Sequence, residues 1–189
     1  MRPRRHETPS SRWDRGGLGW RRGTTTELHN LLQTANVPAP YVLTSHSFGG
    51  LYARMFAALY SEEVVGMVLV DSSHPDQWAY APADFRSRAQ PSAPTGLDGR
   101  PLVVVSASDH GDQGLPPLTV AQFERDWLRL QAELATLSNN SQHLVVEGSR
   151  HGTLQTTFAG VTSDAIRRVL DAARTHRPLA ARADIPKER

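Results

Sequence analysis

The stretch of residues 40–60 decides the fold of this chain; it runs Pro-Tyr-Val-Leu-Thr-Ser-His-Ser-Phe-Gly-Gly-Leu-Tyr-Ala-Arg-Met-Phe-Ala-Ala-Leu-Tyr. Its start, at residues 41–43, is apolar and β-prone, and good helix formers follow residue 50. Between these two parts lie the small residues Ser45, Ser47, Gly49 and Gly50. The stretch therefore predicts a strand, a sharp turn and a helix, in that order.

Ser47 lies at the tip of the predicted turn, with Ser45 two positions before it and Gly49 two positions after it. Where a strand turns so tightly into a helix, the flanking backbones close up, and larger side chains at those two positions would collide. Such a corner is typical of a nucleophilic serine. The alternative interpretation is an ordinary strand-to-helix turn in which Ser47 only caps the helix.

This Ser-x-Ser-x-Gly pattern resembles the nucleophile elbow, Gly-x-Ser-x-Gly, of the α/β-hydrolase fold, with Ser45 in place of the first glycine. Downstream, an apolar run at residues 64–70 ends in Asp71. The elbow helix carries apolar residues at helical spacing, namely Leu51, Met55 and Leu59. Upstream, the loop that follows the family's fourth strand is matched by Asp14, Arg15, Gly17 and Gly19. Continuous apolar strands that alternate with helices indicate a parallel sheet covered on both faces.

The resemblance implies an α/β fold class, specifically a partial α/β-hydrolase fold with a mostly parallel sheet of about four strands flanked by helices. The expected strands contain residues 41–43, 64–70, 101–105 and 143–146. A capping box of Thr24 and Glu27 predicts a helix from about residue 25 to 34. Two later helices are expected near residues 120–137 and 161–174. The family's first strands have no counterpart, which suggests truncation at the N-terminus.

The domain organisation expected from composition is one domain at residues 13–176 between two polar tails. Residues 1–12 are basic and should be disordered, and residues 177–189 form the polar C-terminal tail. The glycine-rich segment 13–20 is expected to be a loop. Residues 72–100 are rich in proline, alanine and polar residues, and we expect a long loop or a shortened lid there.

Composition excludes several classes of function. The 189-residue chain has no cysteine, which excludes disulfides, thiolate metal sites and a cysteine nucleophile. Arginines crowd the N-terminus, but no aromatic stacking platform accompanies them, so no nucleic-acid partner is expected. No apolar run approaches the length of a membrane span. We therefore expect a cytoplasmic protein without a membrane span.

Acyl transfer by serine needs a hydroxyl nucleophile, an imidazole base and a carboxylate that orients the imidazole. In the order typical of α/β-hydrolases, these are Ser47, Asp109 and His151. Each lies just past the C-terminal end of a predicted parallel strand, where side chains from separate strands can converge. His151 is favoured as the base because it follows the last strand in a Gly-x-x-His loop, as in the family.

Alternatives to two of these residues stay open. Asp71 ends the strand after the elbow, where some family members carry their acid, and Asp112 is a third, poorer candidate. We prefer Asp109 over Asp71. The other histidines in turn or strand positions have weaker claims as the base: His46, His74, His110 and His143.

The resemblance assigns one oxyanion donor, the backbone N–H of Phe48, while the loop that supplies the second donor is absent. Without the family's third strand, the elbow strand becomes a sheet edge through which the chain could self-associate. The expected function is a serine hydrolase that acts on a small-molecule ester or similar acyl substrate, with no metal and no organic cofactor. The alternative is a non-catalytic homologue, truncated or degenerate, that lacks the oxyanion loop.

Overall fold

The computed structural model describes residues 17–78, 96–111 and 118–180. Its four strands form one parallel sheet in the order β1-β2-β3-β4. These strands are β1 (Tyr41–His46), β2 (Val64–Val70), β3 (Leu102–Asp109) and β4 (Ser141–Arg150). The prediction of a mostly parallel sheet of about four strands is confirmed.

The helices of the described residues lie on both faces of this sheet. They are α1 (Gly17–Thr34), α2 (Gly49–Leu59), α3 (Val120–Ala135) and α4 (Ala159–Thr175). Along β2, Met67 and Leu69 pack with buried residues of α2 and α3, whereas Val68 and Val70 pack with buried residues of α4. Because alternate side chains of a strand point to opposite faces, both faces need apolar residues. This requirement explains why residues 64–70 form a continuous apolar run.

Helix α1 begins earlier than the sequence predicted, because it includes Gly17 and Gly19, which were expected in a loop. The C-terminal half of α1 is anchored: the ring of His29 stacks on Tyr60 at 3.9 Å, and its Nε2 lies 2.9 Å from a Glu63 oxygen. Once one half is fixed, each further turn adds hydrogen bonds without a new nucleation cost. Tertiary anchoring thus outweighs the poor helix propensity of the glycines, which is about 1 kcal/mol each.

The predicted tails and lid fall mostly on parts of the chain that the structure does not describe. The basic tail at residues 1–12 and the region 181–189 lie outside the described residues, as does the central part of the predicted lid, residues 79–95. At the end of the lid region, Leu97 is buried and packs in the core on the α2 side of the sheet. The end of the predicted lid region therefore contributes one residue, Leu97, to the domain core.

Strand β1 forms one edge of the sheet, since it pairs with β2 alone among the described residues. Its outer backbone groups have no neighbouring strand within that part of the chain. Self-association through this edge stays a prediction. No helix among the described residues is both long enough and apolar enough to cross a membrane.

Candidate active site

Ser47 is held in a strained turn between β1 and α2. Its φ angle is +55°, in the left-handed region that side chains other than glycine rarely adopt. Two hydrogen bonds fix this turn: the Ser47 N–H donates to the carbonyl of Val70 at 3.1 Å, and the Ser73 N–H donates to the Ser47 carbonyl at 2.9 Å. Ser47 is therefore locked beside the C-terminal end of β2, where Asp71 begins the next turn.

The tightest approach in this turn is at Gly50, not at Gly49 as the sequence pattern implied. A Cβ atom added at Gly49 would lie 3.5 Å from the Cβ of Ser45, which is an ordinary contact. A Cβ atom at Gly50 would lie 2.6 Å from the Cβ of Ser72, which real side chains essentially never do. Gly50 thus allows α2 to pack closely against the segment after β2.

We expect Gly50→Ala to lower the free energy of unfolding by about 1–3 kcal/mol, because the new methyl group overlaps the Cβ of Ser72, which lies close to the backbone. Urea unfolding followed by circular dichroism measures this change. Gly160→Ala, near the start of α4, is the matched control because its Cβ would meet nothing within 4 Å. A Gly50→Ala protein as stable as Gly160→Ala would contradict the tight approach.

His151 and Asp71 form the closest acid–imidazole contact at this end of the sheet. The Nδ1 of His151 lies 2.6 Å from Oδ2 of Asp71, although the two residues are 80 positions apart. The Asp71 side chain is fully buried, whereas about a third of the His151 side chain is exposed. Among the described residues, no hydrogen bond joins the Ser47 hydroxyl to His151. Catalytic hydrogen bonds of this kind are often long without substrate and shorten once it is bound.

Four donors surround the Asp71 carboxylate. Oδ1 accepts from the backbone N–H of Ala107 at 3.1 Å and from the indole N–H of Trp127 at 2.8 Å. Oδ2 faces His151 and also the Nε2 of His110, at 3.0 Å. Burial raises the pKa of Asp71, but the hydrogen bonds from His110, His151 and Trp127 outweigh burial and hold that pKa well below its usual range. Asp71 is therefore an ionised carboxylate with all its lone pairs used.

Asp109, the acid preferred from the sequence, lies elsewhere. Its Oδ2 accepts from the Nε of Arg150 at 2.8 Å, and its Oδ1 accepts from the Gly111 N–H at 2.6 Å. Nearly half of its side chain is exposed. The structure brings His151 to Asp71, the alternative acid, and not to Asp109. The third candidate, Asp112, lies outside the described residues.

The reason is a local irregularity in the pairing of β3 with β4. Ala107 pairs with Val146, but Asp109 pairs with Arg150, so β4 contains extra residues at this point. Gly148, in that insertion, has a φ angle of +73° and donates its N–H to the Ser108 hydroxyl at 2.9 Å. Such bulges redirect the neighbouring side chains. Here the irregularity pairs Asp109 with Arg150.

His46 lies against His151 but occupies a supporting position. The two ring centroids are 4.3 Å apart, and the Nε2 of His46 donates to the backbone carbonyl of His151 at 3.0 Å. Burial lowers the pKa of His46, so its ring is neutral near pH 7. His46 thus holds the backbone of the His151 turn.

Two other histidines, His143 and His74, make side-chain hydrogen bonds inside the fold. The Nε2 of His143 lies 2.7 Å from the Ser106 hydroxyl, and Ser106 is fully buried, so this serine–histidine pair is closed to substrate. The Nδ1 of His74 accepts from the Asp76 N–H at 3.1 Å. Both histidines have a structural explanation, as expected for most histidines.

Donor atoms of a kind that also bind metals gather in the same cluster. One atom from each of Asp71, His110 and His151 lies within 4.8 Å of the others. Both of the contacts that Asp71 makes here have hydrogen-bond length. A second group, His74, Asp76 and Glu133, is looser, with His74 Nε2 3.8 Å from a Glu133 oxygen. Hydrogen bonds therefore explain why the donor atoms of Asp71, His110 and His151 lie so close together.

Sequence reasoning missed three residues of this cluster. In the sequence, Trp127 falls within the helix expected near residues 120–137, and His110 follows the strand expected at 101–105. Glu124, whose Oε2 lies 2.8 Å from Nδ1 of His110, belongs to no motif. Trp127 and Glu124 lie three positions apart on α3, which places them on the same helix face. The available signal was that two polar residues, Glu124 and Gln131, share this helix face with the apolar stripe.

A parallel sheet with helices on both faces, polar side chains at the carboxyl ends of its strands and a serine on a tight strand-to-helix turn are together typical of α/β-hydrolase folds. The model of the alpha/beta hydrolase family matches residues 4–188, and the chain belongs to this family.

Two solved structures agree in fold. They are the lip1 protein of Acinetobacter baumannii AYE (TM-score 0.56, 15% identity, 83% of this chain and 69% of that one) and a thermophilic esterase of Thermogutta terrifontis (TM-score 0.56, 16% identity, 81% and 72%).

Two curated proteins match in sequence. The uncharacterized protein YqjL of Bacillus subtilis is 25% identical over 146 residues, which cover 66% of this chain and 55% of YqjL. An uncharacterized protein of Schizosaccharomyces pombe is 39% identical over 69 residues, which cover 32% of this chain and 13% of that protein. The chain thus spans about half of YqjL and a smaller part of the yeast protein.

Proposed function

We propose that this chain is a serine hydrolase that cleaves a small-molecule ester or similar acyl substrate with Ser47, His151 and Asp71. The contact that carries the proposal is the 2.6 Å hydrogen bond between His151 Nδ1 and Asp71 Oδ2. It fixes the ring so that Nε2, the other nitrogen, is free to serve as the base. The esterase from Thermogutta terrifontis, which shares the fold, supports this class of reaction without identifying the substrate.

In the acylation step, the Ser47 oxygen bonds to the substrate carbonyl carbon while its proton passes to Nε2 of His151. Asp71 stabilises the resulting imidazolium. The carbonyl oxygen becomes an oxyanion, and we assign its stabilisation to the backbone N–H of Phe48, the N-cap residue of α2. The alcohol then leaves with the proton from His151, and an acyl group remains on Ser47.

In the deacylation step, water replaces the alcohol. His151 takes a proton from the water as its oxygen bonds to the acyl carbon, and then returns the proton to the Ser47 oxygen as the acid product leaves. The cycle regenerates all three side chains and consumes one water molecule. This mechanism uses only residues at the carboxyl ends of β1, β2 and β4.

Covalent labelling with a fluorophosphonate probe tests the proposal, because this reagent phosphonylates only an activated serine hydroxyl. We expect the wild-type protein to be labelled and Ser47→Ala to lose labelling entirely. Ser45→Ala is the matched control, since the Ser45 hydroxyl has no hydrogen-bond partner among the residues that the structure describes. We expect this variant to be labelled like the wild type. Folded wild-type protein that stays unlabelled would contradict the enzyme and favour the non-catalytic alternative.

A further inference from the structure

Beside Asp71, at the same carboxylate oxygen that His151 contacts, His110 lies between two carboxylates. Its Nε2 is 3.0 Å from Asp71 Oδ2, and its Nδ1 is 2.8 Å from Glu124 Oε2. The other Glu124 oxygen accepts from the backbone N–H of His110 at 2.6 Å. Only 4% of the His110 side chain is exposed, so solvent does not compete for these contacts. The four side chains form one connected series, Glu124, His110, Asp71 and His151.

The carboxylate oxygens, which can only accept hydrogen bonds, determine which ring nitrogens of the two histidines carry a proton. An ionised carboxylate can only accept, and Asp71 already accepts from Ala107 and Trp127 on its other oxygen. Both of its histidine contacts must therefore be N–H donors. Glu124 accepts from the backbone N–H and the ring of His110, which is the bidentate pattern of a carboxylate. A ring that donates from both nitrogens is an imidazolium.

The surroundings of His110 agree with a buried cation. Burial opposes the charged form, but the hydrogen bonds and charges of Asp71 and Glu124 outweigh burial and raise the pKa of His110 above its usual value. The aromatic rings of Phe123 and Trp127 flank it, with centroids 5.6 and 4.9 Å away. The nearest further ionisable ring is His151, with its centroid 6.4 Å away.

We propose that His110 is a positioning residue of the active site. With Glu124 it forms a buried carboxylate–imidazolium pair that holds the Asp71 carboxylate in place, and its positive charge weakens the electrostatic effect of the Asp71 carboxylate on His151. This inference rests on the proposed function, in which Asp71 orients His151. Glu124 would thereby influence His151 indirectly, through His110 and Asp71. The ring nitrogens of His110 are both taken up by carboxylates, so His110 acts through Asp71.

The charge of His110 has a predictable effect on pH dependence. A positive charge near His151 disfavours the imidazolium form of His151, which the reaction must generate. Removing that charge favours the imidazolium, so the acid limb of the kcat/KM profile should move to higher pH by about one unit. The charged or titratable groups involved are Asp71 from the β2 end, Glu124 from α3, Asp109 beside His110, and His46 and His151.

Glu124→Gln tests the charge of the Glu124–His110 pair without changing its packing. The Gln side chain has the same shape: its oxygen accepts from the His110 N–H, and its NH₂ donates to an unprotonated Nδ1. His110 can then be neutral and still donate from Nε2 to Asp71. We expect a folded protein whose acid limb is shifted upward by about one pH unit. Glu133→Gln, on an exposed position of α3, should leave the limb unmoved.

Two-bond ¹H–¹⁵N NMR of the histidine rings provides a readout that does not depend on activity. At neutral pH, we expect both ring nitrogens of His110 to be protonated in the wild type and only Nε2 in Glu124→Gln. The midpoint of the His151 titration should rise in the same variant, whether or not the protein hydrolyses esters. A neutral His110 in the wild type, or an unmoved His151 midpoint in Glu124→Gln, would overturn the proposal. Failure of Ser47 labelling would instead count against the proposed function alone.

Discussion

Replacing His151 by Gln is expected to lower kcat for the hydrolysis of an activated ester by about 10⁶-fold, close to the loss seen when a triad base is removed outright. Gln has no atom that can take the proton from the Ser47 hydroxyl near neutral pH, and it cannot return a proton to the leaving alcohol. The fold should survive because His151 is partly exposed and only its ring contacts Asp71. Steady-state kinetics with a p-nitrophenyl ester measures the effect.

His46→Gln is the matched control for this prediction. The two histidine rings are adjacent, with centroids 4.3 Å apart, so either could be taken for the base on proximity alone. A Gln amide at position 46 can still donate to the His151 carbonyl, the acceptor of the hydrogen bond that the His46 side chain makes within the described part of the chain. We expect kcat within about tenfold of the wild type. Equal losses in both variants would contradict the assignment of His151 as the base.

Asp71→Asn should reduce kcat by about 10⁴-fold, as expected when the acid of a triad becomes an amide and the imidazole takes the wrong tautomer. The Asn side chain also places an NH₂ donor where one Asp71 oxygen accepted hydrogen bonds. At least one of the four N–H groups that surround Asp71 is then left without an acceptor. Each lost hydrogen bond to a charged group costs about 1.5–3 kcal/mol. Thermal unfolding should therefore accompany the kinetics, so that the rate refers to folded protein.

Asp109→Asn provides the comparison. Asp109 is half exposed and bonds Arg150 at the surface, so its loss should change kcat by less than about twofold and stability little. A large kcat loss in Asp109→Asn together with a small loss in Asp71→Asn would contradict the geometry and restore the acid first preferred from the sequence.

The fold could be predicted from the sequence because its determinants are local. The apolar run at residues 64–70 and the small residues around Ser47 specify strands and a tight turn over short distances. The order of serine, acid and histidine followed from the resemblance. Strand ends were less predictable, since β3 and β4 both extend beyond their apolar segments.

The choice between the two acids could not be predicted in the same way. Asp71 and Asp109 each end a neighbouring parallel strand, so their sequence environments are alike. The difference depends on the pairing irregularity near Ala107 and on the donors Trp127 and His110, which come from other elements. Such long-range contacts leave little trace in one sequence. The extent of α1 is a second case, because its anchor is the contact of His29 with Tyr60 and Glu63.

The central claim is that Ser47 carries the acyl group during turnover, activated by His151. The most direct measurement is to mix the protein with p-nitrophenyl acetate, quench it in acid within the first turnover, and locate the acetyl group by peptide mass spectrometry. The account predicts one acetyl group on Ser47 in the wild type, retained in Asp109→Asn and absent in His151→Gln. Ester turnover with no acetyl group on Ser47, or with the group on another residue, would contradict it.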